Sequence, residues 1–259
     1  MRKHLKVGIS LAVTALGLSI AAPLLAQTSR DFTATAVQSI PDQPDQIGLI
    51  AKSGANMRFE FEQDGNTLIK IIRPTEGIVL MLDPQAETYL EFVGPAADPE
   101  TIDGPISPCP EITPETQGLI CERSGSDVKV SGVQTERWLL GSRQQQPQVI
   151  LWDPARHKAL RHETPDGSVM QMTFKAMEDM SGRQVEHWTI DITMPGQAPL
   201  TGGWWFDPSL RVVLREDLPG GGTRRLDNVK AGPVDPALFT VPDGWQKQEQ
   251  PVNPPAPNE

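Results

Sequence analysis

Ser131-Gly132-Val133-Gln134-Thr135-Glu136-Arg137-Trp138 is followed fifty residues later by Ser181-Gly182-Arg183-Gln184-Val185-Glu186-His187-Trp188. Leu151-Trp152-Asp153-Pro154 is answered by Trp205-Phe206-Asp207-Pro208, and Leu160-Arg161 by Leu214-Arg215, both at an offset of 54. Pro165-Asp166-Gly167 has its counterpart in Pro219-Gly220-Gly221-Gly222, and Phe174-Lys175-Ala176 in Val229-Lys230-Ala231. Five landmarks in one order define an internal repeat, with units over about 131–180 and 181–232. A four-residue insertion between Trp188 and Trp205 accounts for the change of offset. A fainter copy starts at Met81-Leu82-Asp83-Pro84 and continues into Thr88-Tyr89-Leu90-Glu91-Phe92. Each Asp-Pro follows an apolar run. Proline presets φ and the aspartate can bond the backbone two residues on, so each pair starts a turn. The residues after each turn are again strand-like, which makes every unit a meander of antiparallel strands.

Side-chain alternation agrees. Met170, Met172, Phe174 and Ala176 alternate with Gln171, Thr173 and Lys175. Trp188, Ile190 and Ile192 alternate with Thr189, Asp191 and Thr193, and Met57, Phe59 and Phe61 with Arg58, Glu60 and Glu62. A period of two gives each segment one apolar and one polar face, the pattern of an antiparallel sheet solvated on one side. With 22 Gly and 25 Pro, helix is scarce. Asp31–Ile40 reads as either a first strand or a short helix, and Pro114–Ile120 has room for one helical turn. The segment 94–117 is a long connection, of the kind that serves as a lid, an excursion or a hinge. Residues 248–259 are Pro-rich and polar and are expected to be disordered.

The N-terminus carries Arg2, Lys3, His4 and Lys6. An uncharged run from Val7 to Ile20 follows, then Ala21-Ala22-Pro23-Leu24-Leu25-Ala26. A basic start, an apolar middle and a small-residue end make a secretory signal peptide over 1–26, with cleavage near Ala26. The apolar run is short for a bilayer span, and no second one exists, so no permanent membrane anchor is expected. Export places the protein in the periplasm. Removing residues 1–26 takes three of the 23 basic residues and none of the 33 acidic ones, leaving a net charge of −13. That charge argues against a nucleic-acid partner, which needs a basic surface.

Two cysteines, Cys109 and Cys121, flank a Pro-rich stretch. An even count in an oxidising compartment reads as one disulfide. No catalytic, cofactor-binding or metal motif is present: Gly-x-Ser-x-Gly, His-Glu-x-x-His and phosphate-cradling glycine loops are all missing. His157 and His162 flank one expected strand on opposite faces and share no metal geometry. His187 falls at a polar position that Arg137 holds in the other unit. Glu60 and Glu62 share a strand face, where a solvated surface is the simpler reading. The six Trp against one Tyr are core candidates. Trp204 and Trp205 are adjacent and must point to opposite faces, so one of them is not in the same core as the other.

Further residues carry a family resemblance. Asn56-Met57-Arg58-Phe59-Glu60 resembles a strand motif of the outer-membrane lipoprotein carrier (LolA-like) superfamily. Ile71-Ile72-Arg73 and Leu82-Asp83-Pro84, with Tyr89 five residues beyond, resemble its next two strands. The close, Asp235-Pro236-Ala237-Leu238-Phe239-Thr240-Val241-Pro242-Asp243-Gly244-Trp245, is similar to the end of uncharacterised periplasmic members. The resemblance implies an unclosed, antiparallel β-barrel, a half-cylinder with an apolar concave face, in one domain over 28–247. The chain is longer than that pattern, carries the Pro-rich insertion and offers little helix to cover the sheet.

These readings converge on a mainly β half-barrel and on a soluble, non-enzymatic binding protein for a lipid, acyl chain or other apolar ligand. An apolar small molecule or a lipidated protein is the expected partner, and no cofactor is expected. The alternatives are an envelope interaction or stress-sensing module on the same scaffold, and an enzyme without a recognisable motif. Trp152, Met170, Met172, Trp204, Trp205, Phe206 and Val213 are the expected lining of an apolar cleft, since the apolar side chains exceed what one thin core layer needs.

Overall fold

The computed structural model describes residues 30–63, 65–98, 107–110, 116–142 and 144–249. The segment read as a signal peptide, much of the 94–117 connection and most of the Pro-rich tail, expected to be disordered, therefore lie outside the described residues. The described residues form an unclosed antiparallel half-barrel built from one sheet of sixteen strands. Among them, helix is limited to short 3-10 turns, at Pro74–Glu76 and Pro236–Phe239. Asp31–Ile40 resolves as strand, not helix, because alternating small and apolar residues, Phe32, Ala34 and Val37, are buried along it.

The strands, in chain order, are β1 (Phe32–Ser39), β2 (Gln46–Ser53), β3 (Asn56–Gln63), β4 (Asn66–Arg73), β5 (Ile78–Asp83) and β6 (Thr88–Val93). Then come β7 (Ile120–Val130), β8 (Val133–Gly141), β9 (Gln148–Asp153), β10 (Lys158–Glu163) and β11 (Val169–Met180). The last are β12 (Arg183–Thr193), β13 (Leu200–Asp207), β14 (Val212–Asp217), β15 (Thr223–Ala231) and β16 (Gln246–Lys247). β1 sits inside the sheet. β2 to β6 meander away from it to one edge. The chain then crosses to the opposite edge at β7 and meanders back, until β15 pairs with β1 from Phe32↔Ala231 to Ser39↔Thr223. β16 finally lies parallel to β6.

The landmarks of the sequence match have these places. Ser131-Gly132 joins β7 to β8, and Ser181-Gly182 joins β11 to β12, with φ of 48° and 83° in the first pair and 55° and 81° in the second. Two successive left-handed residues are what a two-residue hairpin needs to follow the strand twist. Trp138 pairs with Ile150 and Trp188 with Trp204. Each indole Nε1 donates to the glutamate two residues earlier, Glu136 or Glu186, at 3.0 Å. The ladder slips one residue at Leu160 and again at Leu214, leaving both as buried bulge residues.

The three Asp-Pro turns are built alike. Asp83 Oδ1 accepts from the Gln85 and Ala86 N–H groups, Asp153 Oδ1 from Ala155, and Asp207 Oδ1 from Ser209 and Leu210, all at 2.8–3.1 Å. Four residues after each aspartate the chain turns left-handed, at Glu87, His157 and Arg211. His157 is thus the turn residue immediately before β10. Asp153 and Asp207 are almost wholly buried. Burying a carboxylate is costly unless it is paired, and both are: Arg156 Nη1 lies 2.5 Å from Asp153 and Arg183 Nε bonds Asp207. Arg156 also grips Glu186 through two nitrogens at 2.7 Å and covers the Trp188 ring. The Glu186 hydrogen bond, opposed by burial, holds this guanidinium far above its ordinary pKa.

Three apolar clusters result. One gathers Trp188, Trp204, Phe206, Met172, Ile190 and Leu160 within the repeat. A second gathers Phe32, Ala34, Ile50 and Leu210, the last delivered by an Asp-Pro turn. The third, around Ile71, Leu80 and Leu82, is capped by the C-terminal strap through Val234 and Phe239. The Arg58 guanidinium donates to the Leu238 carbonyl at 2.9 Å and ties that strap to β3. Cys109 and Cys121 are disulfide-bonded, which anchors the described piece of the insertion to β7.

Two outcomes follow. Trp188→Ala removes a wholly buried indole and should cost about 3–5 kcal/mol in denaturant unfolding, with Trp138→Ala, half-buried, costing less. Non-reducing thiol titration of the unfolded chain should find no free thiol, and replacing both cysteines with serine should lower stability by ~3 kcal/mol.

Candidate functional site

The sheet presents two faces, and ladder partners share a face. On the inner one, Phe61, Gly48, Ala36 and Leu226 form one row across β3, β2, β1 and β15. Phe59, Ile50 and Ala34 form the next. A cleft of about 780 Å³ opens over these rows, walled on the far side by Arg211, Val212, Val213 and Glu216 around the start of β14. Five consecutive strands line it, so it is the trough of the curved sheet where β1 meets β15. Gly48 is required in the floor. A Cβ there would stand 2.2 Å from the Glu60 carbonyl oxygen.

The floor of the trough is unusual in what it leaves uncovered. Phe61 is 37 % exposed in it, beside the half-buried Phe59 and Leu226, whereas Ile47 and Leu49, next to Gly48 on β2, turn their side chains to the opposite face. Large apolar side chains gathered in one concavity are the mark of a binding surface rather than scattered surface residues. Its charged groups are Arg211, Arg224 and Arg225 against Glu60, Glu62 and Glu216. Glu60 is already engaged by Arg58 at 2.7 Å and Arg225 by Asp227 at 3.0 Å.

Of the seven residues expected to line a cleft, Val213 does. Trp152, Met172, Trp204 and Phe206 are buried. Met172, Trp204 and Phe206 belong to the repeat's own cluster, where Met170 packs half-buried. Trp205, as adjacency to Trp204 requires, lies on the outer face. There its ring stacks on His187 at 4.3 Å and under the Arg215 guanidinium at 4.9 Å. Gly203 makes room for it, since a Cβ would meet the indole at 2.5 Å. Glu178 accepts from Trp205 Nε1 at 2.9 Å and bonds His187 Nδ1 at 2.7 Å. The floor residues Phe59 and Phe61 were visible beforehand as the apolar face of an alternating strand. Nothing local marked Ala36, Gly48 or Leu226, because they meet Phe61 only through pairings remote in sequence.

A second concavity of about 480 Å³ lies on the outer face, where Arg137, Leu151, Arg161 and Gln171 are successive ladder partners. Both of its arginines are engaged internally: Arg161 by Glu163 and Gln171, Arg137 by Ser124. Among the described residues no three His, Cys, Asp or Glu side chains gather as a metal site requires. No described helix is long and apolar enough to cross a membrane.

No protein-family model matches the chain, and no curated protein matches it. Among solved structures it is similar to an uncharacterized conserved protein from Thermus thermophilus, with 12 % identity and a TM-score of 0.38 over 86 % of this chain and 93 % of that one. It is similar to a putative outer membrane lipoprotein-sorting protein domain from Vibrio parahaemolyticus, with 11 % identity and a TM-score of 0.32 over 81 % and 88 % of the two chains. It is also similar to a LolA superfamily protein from Nitrosomonas europaea, with 10 % identity and a TM-score of 0.33 over 83 % and 91 %.

Glu178 gives the outer face a pH signature. The Trp205 hydrogen bond first, and then that of His187, hold its carboxyl below the usual glutamate range. A depressed carboxylate stabilises the fold above its unfolded pKa, and the contribution is lost as pH falls through the folded value. Tryptophan emission should therefore change at a pH below that of an ordinary glutamate, and the change should be absent in Glu178→Gln.

Proposed function

We propose that this protein is an exported, non-enzymatic binding protein that holds a lipid, acyl chain or other apolar group in the trough over the β1–β15 seam. The observation that carries this reading is the apolar inner face of Phe59, Phe61, Ile50 and Leu226 gathered in one cleft, with Phe61 37 % exposed. The binding unit is one domain over residues 28–247 with repeat units 131–180 and 181–232, the second of which contributes β14 and β15 to the trough. The basic, apolar and small-residue segments of residues 1–26 support export to the periplasm, and the Cys109–Cys121 bridge suits an oxidising compartment. A free apolar molecule and the acyl chain of a lipidated protein are both partners of suitable chemistry.

The magnitudes are adequate. Each methylene taken from water contributes ~0.8 kcal/mol. A ten-carbon tail thus supplies roughly 8 kcal/mol before ordering costs, the scale of micromolar binding.

A neutral, polarity-sensitive dye titrated into the mature protein should bind saturably with a blue-shifted emission. Phe61→Glu places a charge in the trough without disturbing buried core. It should weaken the dye at least about tenfold, since the ligand's apolar chain would desolvate the introduced carboxylate. If the unaltered protein shows no saturable binding, the envelope-interaction reading takes its place.

A further inference from the structure

Granting that the trough takes an apolar ligand, we propose that its mouth selects a zwitterionic head, so that the ligand is a single-chain amphiphile carrying a phosphate and an ammonium group. The side chains at the mouth form one continuous row. Gln46 pairs with Gln38, Gln38 with Arg224 and Arg224 with Glu216, running from β2 to β14. All four line the cleft. The next row inward is Phe61, Gly48, Ala36 and Leu226. Same-face rows stand two residues apart, about 6.5–7 Å along the strand. The lining changes from polar to apolar in that one step, as an amphiphile does between its head and its chain.

The polar row holds one guanidinium, one carboxylate and two carboxamides. A purely anionic head would gain Arg224 but face Glu216. A purely cationic head would gain Glu216 but face Arg224. A head bearing both charges meets each with the opposite sign, and the carboxamides offer donors and acceptors to phosphate and ester oxygens. The pair is open to such an exchange. Arg224 and Glu216 stand 3.8 Å apart, against 2.7 Å for Arg58–Glu60, 2.6 Å for Arg161–Glu163 and 2.8 Å for Arg215–Asp217. The Arg224 side chain is 58 % exposed, so its present partner is held loosely. In the bound state Arg224 takes the phosphate, Glu216 takes the ammonium, and the chain lies over Leu226, Phe61, Ile50 and Phe59. A volume of about 780 Å³ suits one such molecule.

The experiment is displacement of the neutral dye from the full mature chain by four dodecyl compounds, each below its self-association concentration. These are dodecylphosphocholine, dodecanoate, dodecyltrimethylammonium and dodecanol. Dodecylphosphocholine should bind about fivefold tighter than any of the other three, the scale of one partly exposed ion pair. Arg224→Gln and Glu216→Gln should each erase most of its advantage over dodecanol. Glu216→Gln should in addition strengthen dodecanoate, a reversal that damage to the fold would not produce. Equal displacement by dodecylphosphocholine and dodecanoate, in the unaltered chain and in both variants, overturns the head-group assignment while the dye still reports an apolar trough. Failure of the dye itself to bind overturns the apolar-site reading instead.

Discussion

The pairing of β1 with β15 is the constraint on which the molecule depends. Without it the chain is two separate meanders, β2 to β6 on one side and β7 to β15 on the other, each with an unpaired edge. With it, about 190 residues of intervening chain are closed into one sheet, and Phe32 and Ala34 are buried against Ile50 and the Leu210 carried by the third Asp-Pro turn. The loop-closure cost of such a distant pairing grows only slowly with length, so a seam of seven register pairs with an apolar cluster beneath it is sufficient compensation. The trough lies over that same seam. The trough and the closure of the sheet are consequences of one contact.

Curvature explains why the trough is where it is. Within the repeat, the inner face fills itself: Trp188, Trp204 and Phe206 are large enough to meet Met172 and Leu160 across the bend. At the seam the inner residues are Ala34, Ala36 and Gly48, which are too small to do so. Small residues let neighbouring strands approach closely, as the Gly48 Cβ position against the Glu60 carbonyl shows, and they leave volume above the floor. The C-terminal strap covers the other face of β3 to β5, where Phe239 and Val234 pack on Ile71 and Leu80. Neither strap nor turn covers the inner face at Phe61.

Buried charge has a different part to play in the repeat. Asp153 and Asp207 each hold a turn by accepting backbone N–H groups, and each has its second oxygen on an arginine. Arg156 then links its turn to Glu186, which in turn receives the Trp188 indole N–H. Such a chain of charge-assisted bonds adds little net stability over an apolar substitute. Every group in it has a directional requirement, however, so it fixes the register of strands whose alternation alone would tolerate a slip of two residues.

Local chemistry made much of this legible in the sequence. The Asp-Pro pairs, the Ser-Gly hairpin tips and the period of two are short-range signals, because backbone dihedrals and hydrogen bonds within four residues decide them. They specified antiparallel meanders, the opposed faces of Trp204 and Trp205, and the apolar face of Phe59 and Phe61. The left-handed turn at His157 was less visible, since a non-glycine residue gives no warning of a positive φ. The place of the trough belonged to tertiary structure alone. Trp152, Met172 and Phe206 are as apolar as any ligand-binding residue, and whether such a side chain ends in a core or over a void depends on what stands opposite it. That is set by the pairing of β1 with β15 and by the curvature of the sheet, both of which join residues too far apart in the chain for any local pattern to record.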